Sequence, residues 1–494
     1  MRHAVRVCAL LLLTTSLCRA QAPEAIRHRL DRLTTSDSTP SIAVAVARNG
    51  AIVWEEAFGW ADKEHHQRAS IHTSYNVASV TKTLTATELL ILSRAHRLDL
   101  DRPANAYLAD LPDSVRVSSP AWNAAQVTVH RLANHTAGLA THYLFCFTDT
   151  PNCRASVSEA IARYAVAIRL PGERFDYSNL GYGTLGAVIE RVKGHPLGDA
   201  MRSDVFVPLR LGDTFIGPAG TRPGVAVSYD WKGRRADGYR STTPAASDGY
   251  ASIHDLARFG LFQLHAHLSD QERVITDSAI DWMQTETVRA DEHYQYGFGW
   301  WVEPDHLGLR EVYAAGGTNV ASALLVLVPA EHLAVAITTN APLLLTDIAD
   351  DVIALYVPAF AARRAASTGS STPSTPQRPT RPDAALVGSW AGWIATYRGR
   401  VPLTMRVDSL GTVRTSVAGA PDADLSDVRF SNDARVSGTL AGALPVDELK
   451  GRKYHLVTEL AVHGNRTTGY VTASLDPGAV EGMGLSYWVD LYRR

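Results

Sequence analysis

Ser79-Val80-Thr81-Lys82 places a hydroxyl and an amine three residues apart at the mouth of an apolar run, Leu84 to Leu92, whose only charge is Glu88. Residues three apart share a helix face, so Ser79 and Lys82 are expected to sit one turn apart and touch. A serine hydroxyl is a weak nucleophile until a base takes its proton. A lysine buried near a helix start has its charged form disfavoured, and the neutral amine is such a base. The Ser79 N–H, free at the helix start, is expected to help hold an oxyanion. Ser-x-x-Lys alone recurs by chance, mostly on surface turns. This copy stands out because its lysine enters a helix apolar on most faces, where a charge needs a partner or a purpose.

Tyr177-Ser178-Asn179 follows the turn Pro171-Gly172-Glu173 and precedes a glycine-rich helix start, Gly181 to Gly186. A tyrosine beside Lys82 can relay protons to a leaving group, and Asn179 can donate to a substrate amide carbonyl. The competing reading is a core tyrosine with a turn asparagine. His135 is expected to be a packed, hydrogen-bonded histidine. His65-His66 and His265-Ala266-His267 lack third ligands and are expected at the surface, so no metal site is expected. No glycine-rich phosphate loop with lysine is present, and no cofactor is called for.

Elements able to position these residues are legible around them. Ser41 to Ala57 reads as a hairpin: Ile42, Val44 and Val46 are apolar, Asn49-Gly50 turns the chain, and Ile52, Val53 and Trp54 continue it. A helix-rich stretch follows, roughly Ser79 to Thr285. Two strands come next, Ala323 to Val328 and Leu333 to Thr338, around Pro329-Ala330-Glu331, then a helix from Asp347 to Tyr356. Strands at both ends with helices between predict an α+β fold, the hairpin and the late strands pairing into one antiparallel sheet flanked by helices, beside an all-helical region.

Together these segments resemble the β-lactamase-related serine hydrolases, which include class C β-lactamases, DD-peptidases, D-aminopeptidases and esterases. The resemblance covers roughly residues 26 to 360. It rests on Phe58-Gly59-Trp60-Ala61, Asn76-Val77-Ala78-Ser79-Val80-Thr81-Lys82, Leu132-Ala133-Asn134-His135-Thr136-Ala137-Gly138-Leu139, Tyr177-Ser178-Asn179-Leu180-Gly181-Tyr182 and Tyr296-Gly297-Phe298-Gly299-Trp300. Each is moderately specific; in this order and spacing they are very specific together. The resemblance implies a β-lactamase/transpeptidase-like fold and a structural role for His135. The family's third motif, a basic residue, any residue and glycine, falls at Ala314-Ala315-Gly316, before Gly317-Thr318. Ala314 thus stands where a Lys or His is usual, and a later family glycine falls at Val320. That departure puts recognition of a β-lactam or D-Ala-D-Ala carboxylate in doubt. Backbone near Gly316, Gly317 and Thr318 can still bind substrate or complete an oxyanion hole, which needs N–H groups and not side chains.

The chain of 494 residues is too long for one core. Its formal net charge of −2 gives no basic excess for nucleic acid or an anionic membrane. Residues 1–20 read as a secretory signal: Arg2, His3 and Arg6, an apolar run from Val7 to Leu13, and Cys18-Arg19-Ala20 before a cut. The run is too short for a transmembrane span. Export would leave Cys146 and Cys153, expected to bridge in an oxidising compartment; the competing reading is two buried free thiols. The expected organisation is a signal (1–20), a hydrolase domain (21–364), a Pro/Ser/Thr linker (365–383) and an all-β barrel-like domain (384–494), where Val401, Leu403, Met405 and Val407, and later Leu485, Tyr487, Val489 and Leu491, alternate with polar residues. Few contacts are expected to cross the linker.

The expected function is an exported periplasmic or secreted bacterial hydrolase that cleaves a small-molecule ester, an amide or a cell-wall peptide through an acyl-enzyme on Ser79. Two alternatives stand beside it. One is a β-lactamase, D-Ala-D-Ala carboxypeptidase or D-aminopeptidase. The other is a non-catalytic recogniser of cell-wall peptides, for which Ala314 argues and Ser79, Lys82 and Tyr177 argue against. Substrate identity and oligomeric state are not encoded in these patterns.

Overall fold

A computed structural model describes residues 24–35, 39–147, 156–220, 222–236, 238–367, 381–431, 433–475 and 482–494. The expected signal, Cys153 and most of the linker lie outside these residues. Ser41–Arg48 (β1) and Ala51–Asp62 (β2) form the hairpin. Asn49 and Gly50 both take positive φ, 50° and 83°, which a two-residue turn needs to follow the twist of the strands. Thr81–Arg94 (α1), Tyr143–Cys146 (β3), Asn179–Lys193 (α2) and Ile253–Gln263 (α3) follow. Short strands such as Gly249–Ala251 interrupt the stretch read as helix-rich. The chain then returns through Trp301–His306 (β4), Leu309–Thr318 (β5), Ala321–Val328 (β6) and Leu333–Thr339 (β7) to Thr346–Tyr356 (α4) and Pro358–Ser367 (α5).

The strands β4-β5-β6-β7-β1-β2 lie in one antiparallel sheet, extended at its edges by two-residue strands. Ile42 pairs with Thr339 and Arg48 with Leu333, so the two ends of this domain meet at the sheet's centre. β1 is buried on both faces, and its alternation is one of size. Ala43, Ala45 and Ala47 belong to the core shared with α1, α2 and α3; Ile42, Val44 and Val46 pack with Ile348, Val352 and Ile353 of α4. Small side chains on one face let α3 approach, while branched ones fill the space under α4. The result is the β-lactamase/transpeptidase-like fold that the sequence implies. In α1, Glu88 is fully buried; burial, aided by the Asp204 charge, pushes its carboxyl up to about 9, so it is neutral at pH 7.

Three expectations are corrected. α5 continues to Ser367, past the expected end at 364, because Pro358 suits a first helical turn and Ala361 to Ala366 are good helix formers. His267 is not at the surface: its side chain is 6% exposed and its Nε2 lies 2.7 Å from Asp277. The third concerns the C-terminal domain. Its strands are Gly388–Thr396 (β8), Gly399–Val407 (β9), Val413–Val417 (β10), Ser426–Ser431 (β11), Arg435–Leu440 (β12), Tyr454–His463 (β13), Arg466–Leu475 (β14) and Met483–Arg493 (β15). They form a nearly closed barrel-like sheet in the order β10-β9-β8-β15-β14-β13-β12-β11, with Val401, Leu403, Met405 and Val407 inside.

This barrel does not stand apart. β15 is buried on both faces from Met483 to Leu491, because its outer face rests on the domain that carries β1 to β7. Met483 pairs with Leu144 of β3 and Gly484 with Tyr143; a Cβ on Gly484 would lie 2.5 Å from the Tyr143 ring. Trp488 meets Trp122 edge-on at 5.8 Å, and Glu459 of β13 accepts from Arg169 at 2.6 Å and Arg174 at 3.0 Å. Many contacts therefore cross the linker.

Candidate active site

Ser79 sits in a single 3-10 turn, Ala78–Val80, that runs directly into α1. The turn is bent at its start: Ala78 has φ 44°, a left-handed conformation costly for a residue with a Cβ. The Asn76 side chain holds the bend, accepting from Ala78 N–H at 3.2 Å and donating to the Ser247 carbonyl at 3.3 Å. The effect is to project Ser79, partly exposed, from a rigid support of buried residues.

Lys82 Nζ lies 3.0 Å from Ser79 Oγ, 2.8 Å from Asn179 Oδ1 and 3.1 Å from the Ala246 carbonyl oxygen. The lysine is 1% exposed, and burial alone holds its ammonium well below the ordinary lysine range. Three neighbours suit a neutral amine as well as an ammonium. Two are pure acceptors for the N–H groups of the amine, and the third is a hydroxyl able to donate to its lone pair. Tyr177 OH lies 3.0 Å from Ser79 Oγ on the other side. Burial pushes its phenol up, so Tyr177 keeps its proton at neutral pH.

Asn179 opens α2, capped by Ser178 Oγ, which accepts from Gly181 N–H at 3.1 Å. Since Asn179 Oδ1 accepts from Lys82, its amide N–H groups remain for another acceptor. His135 is 1% exposed, surrounded by Phe175, Tyr177, Tyr182 and Tyr296, and burial holds it well below its usual range. Its Nδ1 accepts from Ser178 N–H at 3.1 Å, which assigns the proton to Nε2. It packs Tyr177 from behind and has no contact with Ser79.

The strand β5 passes close behind the nucleophile. A Cβ on Gly316 would lie 2.1 Å from the Val77 carbonyl and 3.0 Å from Ser79 N, so only glycine fits. β4 pairs with β5 only up to Tyr313, leaving that edge of Ala314 to Thr318 without a β4 partner. Gly317 has open space around it, and Thr318 Oγ1 accepts from Val320 N–H at 3.2 Å. Ala314 is buried in the main core at 3% exposure, so no cation occupies that position. Among the described residues, no three His, Cys, Asp or Glu gather to hold a metal. Cys146 is disulfide-bonded; Cys153 lies outside the described residues.

Sequence reasoning missed three participants. The Ala246 carbonyl leaves no signal, because any residue supplies one. Trp301, stacked on Tyr177 at 6.0 Å, directly follows the quoted Trp300. Thr141 donates to the Tyr177 carbonyl at 2.7 Å, and its own carbonyl accepts from Ser486 Oγ of the barrel at 2.6 Å.

The family profile described as Beta-lactamase matches residues 25–355. The chain belongs to the beta-lactamase family. Similar members of this family of serine hydrolases include PbpX of Bacillus subtilis (27% identical over 52% of this chain and 61% of PbpX) and the esterase EstB of Burkholderia gladioli (33% identical over 34% of this chain and 45% of EstB). The chain thus spans less than two thirds of either relative. Penicillin-binding protein 4 of Amycolatopsis lactamdurans is 25% identical over 64% of this chain and 84% of its own. A class C beta-lactamase shares the fold over 70% of this chain and 97% of its own, with TM-score 0.56 and 18% identity. The octameric penicillin-binding protein homologue from Pyrococcus abyssi matches over 95% of this chain and 99% of its own, with TM-score 0.57 and 19% identity. That likeness in fold extends over the barrel as well.

Proposed function

We propose that this beta-lactamase-family serine hydrolase cleaves an ester or amide through an acyl-enzyme on Ser79. The observation that carries the reading is the placement of Ser79 Oγ between Lys82 Nζ and Tyr177 OH, each 3.0 Å away. Neutral Lys82 takes the Ser79 proton as Oγ attacks the carbonyl carbon. The resulting oxyanion is met by the Ser79 N–H and by backbone N–H on the open edge of β5 near Gly317. Asn179 orients the substrate carbonyl. Tyr177, a neutral phenol, gives its proton to the leaving group and recovers one from the Lys82 ammonium, so that both groups end the step neutral. Water then repeats the attack on the acyl carbon, the same groups acting in reverse, and releases the acid.

The charge states fix a pH dependence. Protonated Lys82 is inactive, so kcat/KM is expected to fall as pH drops through the Lys82 pKa and to level off above it. Because burial lowers that pKa, the acid limb should lie below the ordinary lysine value of about 10.4. A pH profile of nitrophenyl acetate hydrolysis reads this. A limb at the ordinary lysine value would show that Lys82 is not the base.

The substrate is a neutral ester or amide in preference to a carboxylate-bearing β-lactam, since Ala314 offers no cation. Short-chain nitrophenyl esters are expected to be turned over with kcat/KM at least tenfold above a chromogenic cephalosporin. A cephalosporin kcat/KM above roughly 10⁵ M⁻¹s⁻¹, ordinary for a good enzyme, would overturn this. The second reading, a β-lactamase, D-Ala-D-Ala carboxypeptidase or D-aminopeptidase, is favoured by relatives named as penicillin-binding proteins, and the same panel extended with D-amino-acid amides separates it. Export through residues 1–20 completes the reading; no helix among the described residues is long and apolar enough to cross a membrane.

A further inference from the structure

On the face of the sheet turned away from α1, a cavity of about 310 Å³ opens between β4, β5 and α4. Side chains of a strand alternate between faces. Val312, Ala314 and Gly316 of β5 look toward the core around Ser79, while Glu311, Tyr313 and Ala315 look into this cavity. A strand face under a helix is ordinarily apolar, and Glu311 breaks that rule. It is 6% exposed, and its Oε1 has no hydrogen-bond partner. Leaving a carboxylate buried and unpaired is costly.

Two other carboxylates of the cavity, Glu303 and Asp350, are matched. His306, held largely protonated by them at about 10, places Nδ1 3.3 Å from Glu303 and Nε2 3.1 Å from Asp350. Arg364 reaches Asp350 at 3.7 Å. Glu311 has no such partner: burial and the Asp350 and Glu303 charges push it up to about 7, opposed by His306. Burial first, then carboxylates including Glu303 and Glu311, raise the phenols of Tyr294 and Tyr313 as well. Around the cavity the carboxyl groups of Glu303, Glu311, Asp347 and Asp350 outnumber the cations His306 and Arg364, so its charge balance is negative once Glu311 is ionised. The two rings meet at 6.3 Å and 77°, forming a corner whose electron-rich faces attract a cation.

The geometry points to a binding site for an organic ammonium group, with Glu311 as its counter-ion and the Tyr294–Tyr313 corner as its aromatic wall. The volume lies at the lower end of the ligand-pocket range, suited to an amine with a short carbon chain. The assignment does not rest on the function proposed for Ser79, although both rings of the corner also pack on Trp301, which stacks on Tyr177. The ammonium comes either as a primary amine, of the lysine type, or as a methylated quaternary group, and the test separates the two.

Butylammonium and tetramethylammonium chloride are titrated calorimetrically into the full chain at pH 8 and fixed ionic strength. One-to-one saturable binding of at least one salt is expected; preference for butylammonium marks a hydrogen-bonded primary amine, preference for tetramethylammonium a quaternary one. Glu311→Gln should weaken binding at least tenfold. Tyr294→Leu, at a half-buried position that leaves the Glu311 carboxylate in place, should weaken it by about fivefold, in the range of one cation–π contact. Absence of binding by both salts, or undiminished binding by a folded Glu311→Gln or Tyr294→Leu protein, overturns the site.

Discussion

Replacing Ser79 by alanine is expected to lower turnover of a nitrophenyl ester by about 10⁶-fold, the scale on which acyl-transfer enzymes depend on their nucleophile. The size follows from the covalent route. Without Oγ there is no acyl-enzyme, and what remains is substrate binding and the oxyanion donors, which accelerate direct attack by water only modestly. The fold should survive. Ser79 is partly exposed at the cleft, while the strained turn beneath it is held by Asn76 and by Thr81 Oγ1, which donates to the Ala78 carbonyl at 2.6 Å. Circular dichroism and melting should match the parent closely, and a fluorescent phosphonate should label the parent alone. Undiminished turnover by purified, correctly folded Ser79→Ala would move the activity to another site and end the mechanism proposed for Lys82 and Tyr177.

A chain ending near Ala366 should fail to acylate Ser79, even where it remains soluble. Two routes lead from the barrel to Tyr177. Ser486 donates to the Thr141 carbonyl, and Thr141 donates to the Tyr177 carbonyl. Glu459 accepts from Arg169 and Arg174, and Arg169 pairs at 2.9 Å with Asp176, the residue before Tyr177. Arg169 is 6% exposed, so removing Glu459 leaves a buried guanidinium with Asp176 as its remaining carboxylate partner, at a cost below the roughly 3–5 kcal/mol of leaving a buried charge wholly unpaired. A shift of about 1 Å in a reacting group costs roughly 10²-fold in rate. In the full chain, Glu459→Gln combined with Ser486→Ala should therefore lower kcat 10- to 100-fold, with KM little changed, because the substrate-facing groups remain. A truncated protein that is folded by circular dichroism and labels at the full-length rate would show that the barrel is dispensable.

What the sequence discloses and what it withholds follow from the range of the forces involved. Asn49-Gly50 announces its hairpin because the turn is decided by two residues. Ser79, Lys82 and Tyr177 are legible because one helical turn fixes the first pair and short motifs carry all three. The extension of α5 to Ser367 was equally local, and the run Ala361 to Ala366 held the signal. The docking of the barrel is of another kind. Alternation assigns Leu485, Tyr487, Val489 and Leu491 to the barrel interior, and by the same rule Trp488 belongs outside, where a large aromatic has no reason to be exposed. That tryptophan was the available clue. Which surface it meets, Trp122 beside Ile168 and Ala140, depends on residues more than 300 positions away and on no local preference. Glu311 is similar: an acidic residue in a strand reads as an exposed edge position until α4 is seen to cover it.

The terminal strand Met483–Arg493 has a further consequence, in time. A ribosome makes the segment bearing Ser79, Lys82 and Tyr177 about 300 residues before the strand carrying Ser486. At ordinary synthesis rates an interval on the order of 15–60 s separates them. Until that strand seats against Tyr143–Cys146, Tyr177 lacks part of its support. On the mechanism proposed for Ser79, a polypeptide made or retained only as far as β14 is expected to be chemically silent, and activity to arrive once β15 is made and seated.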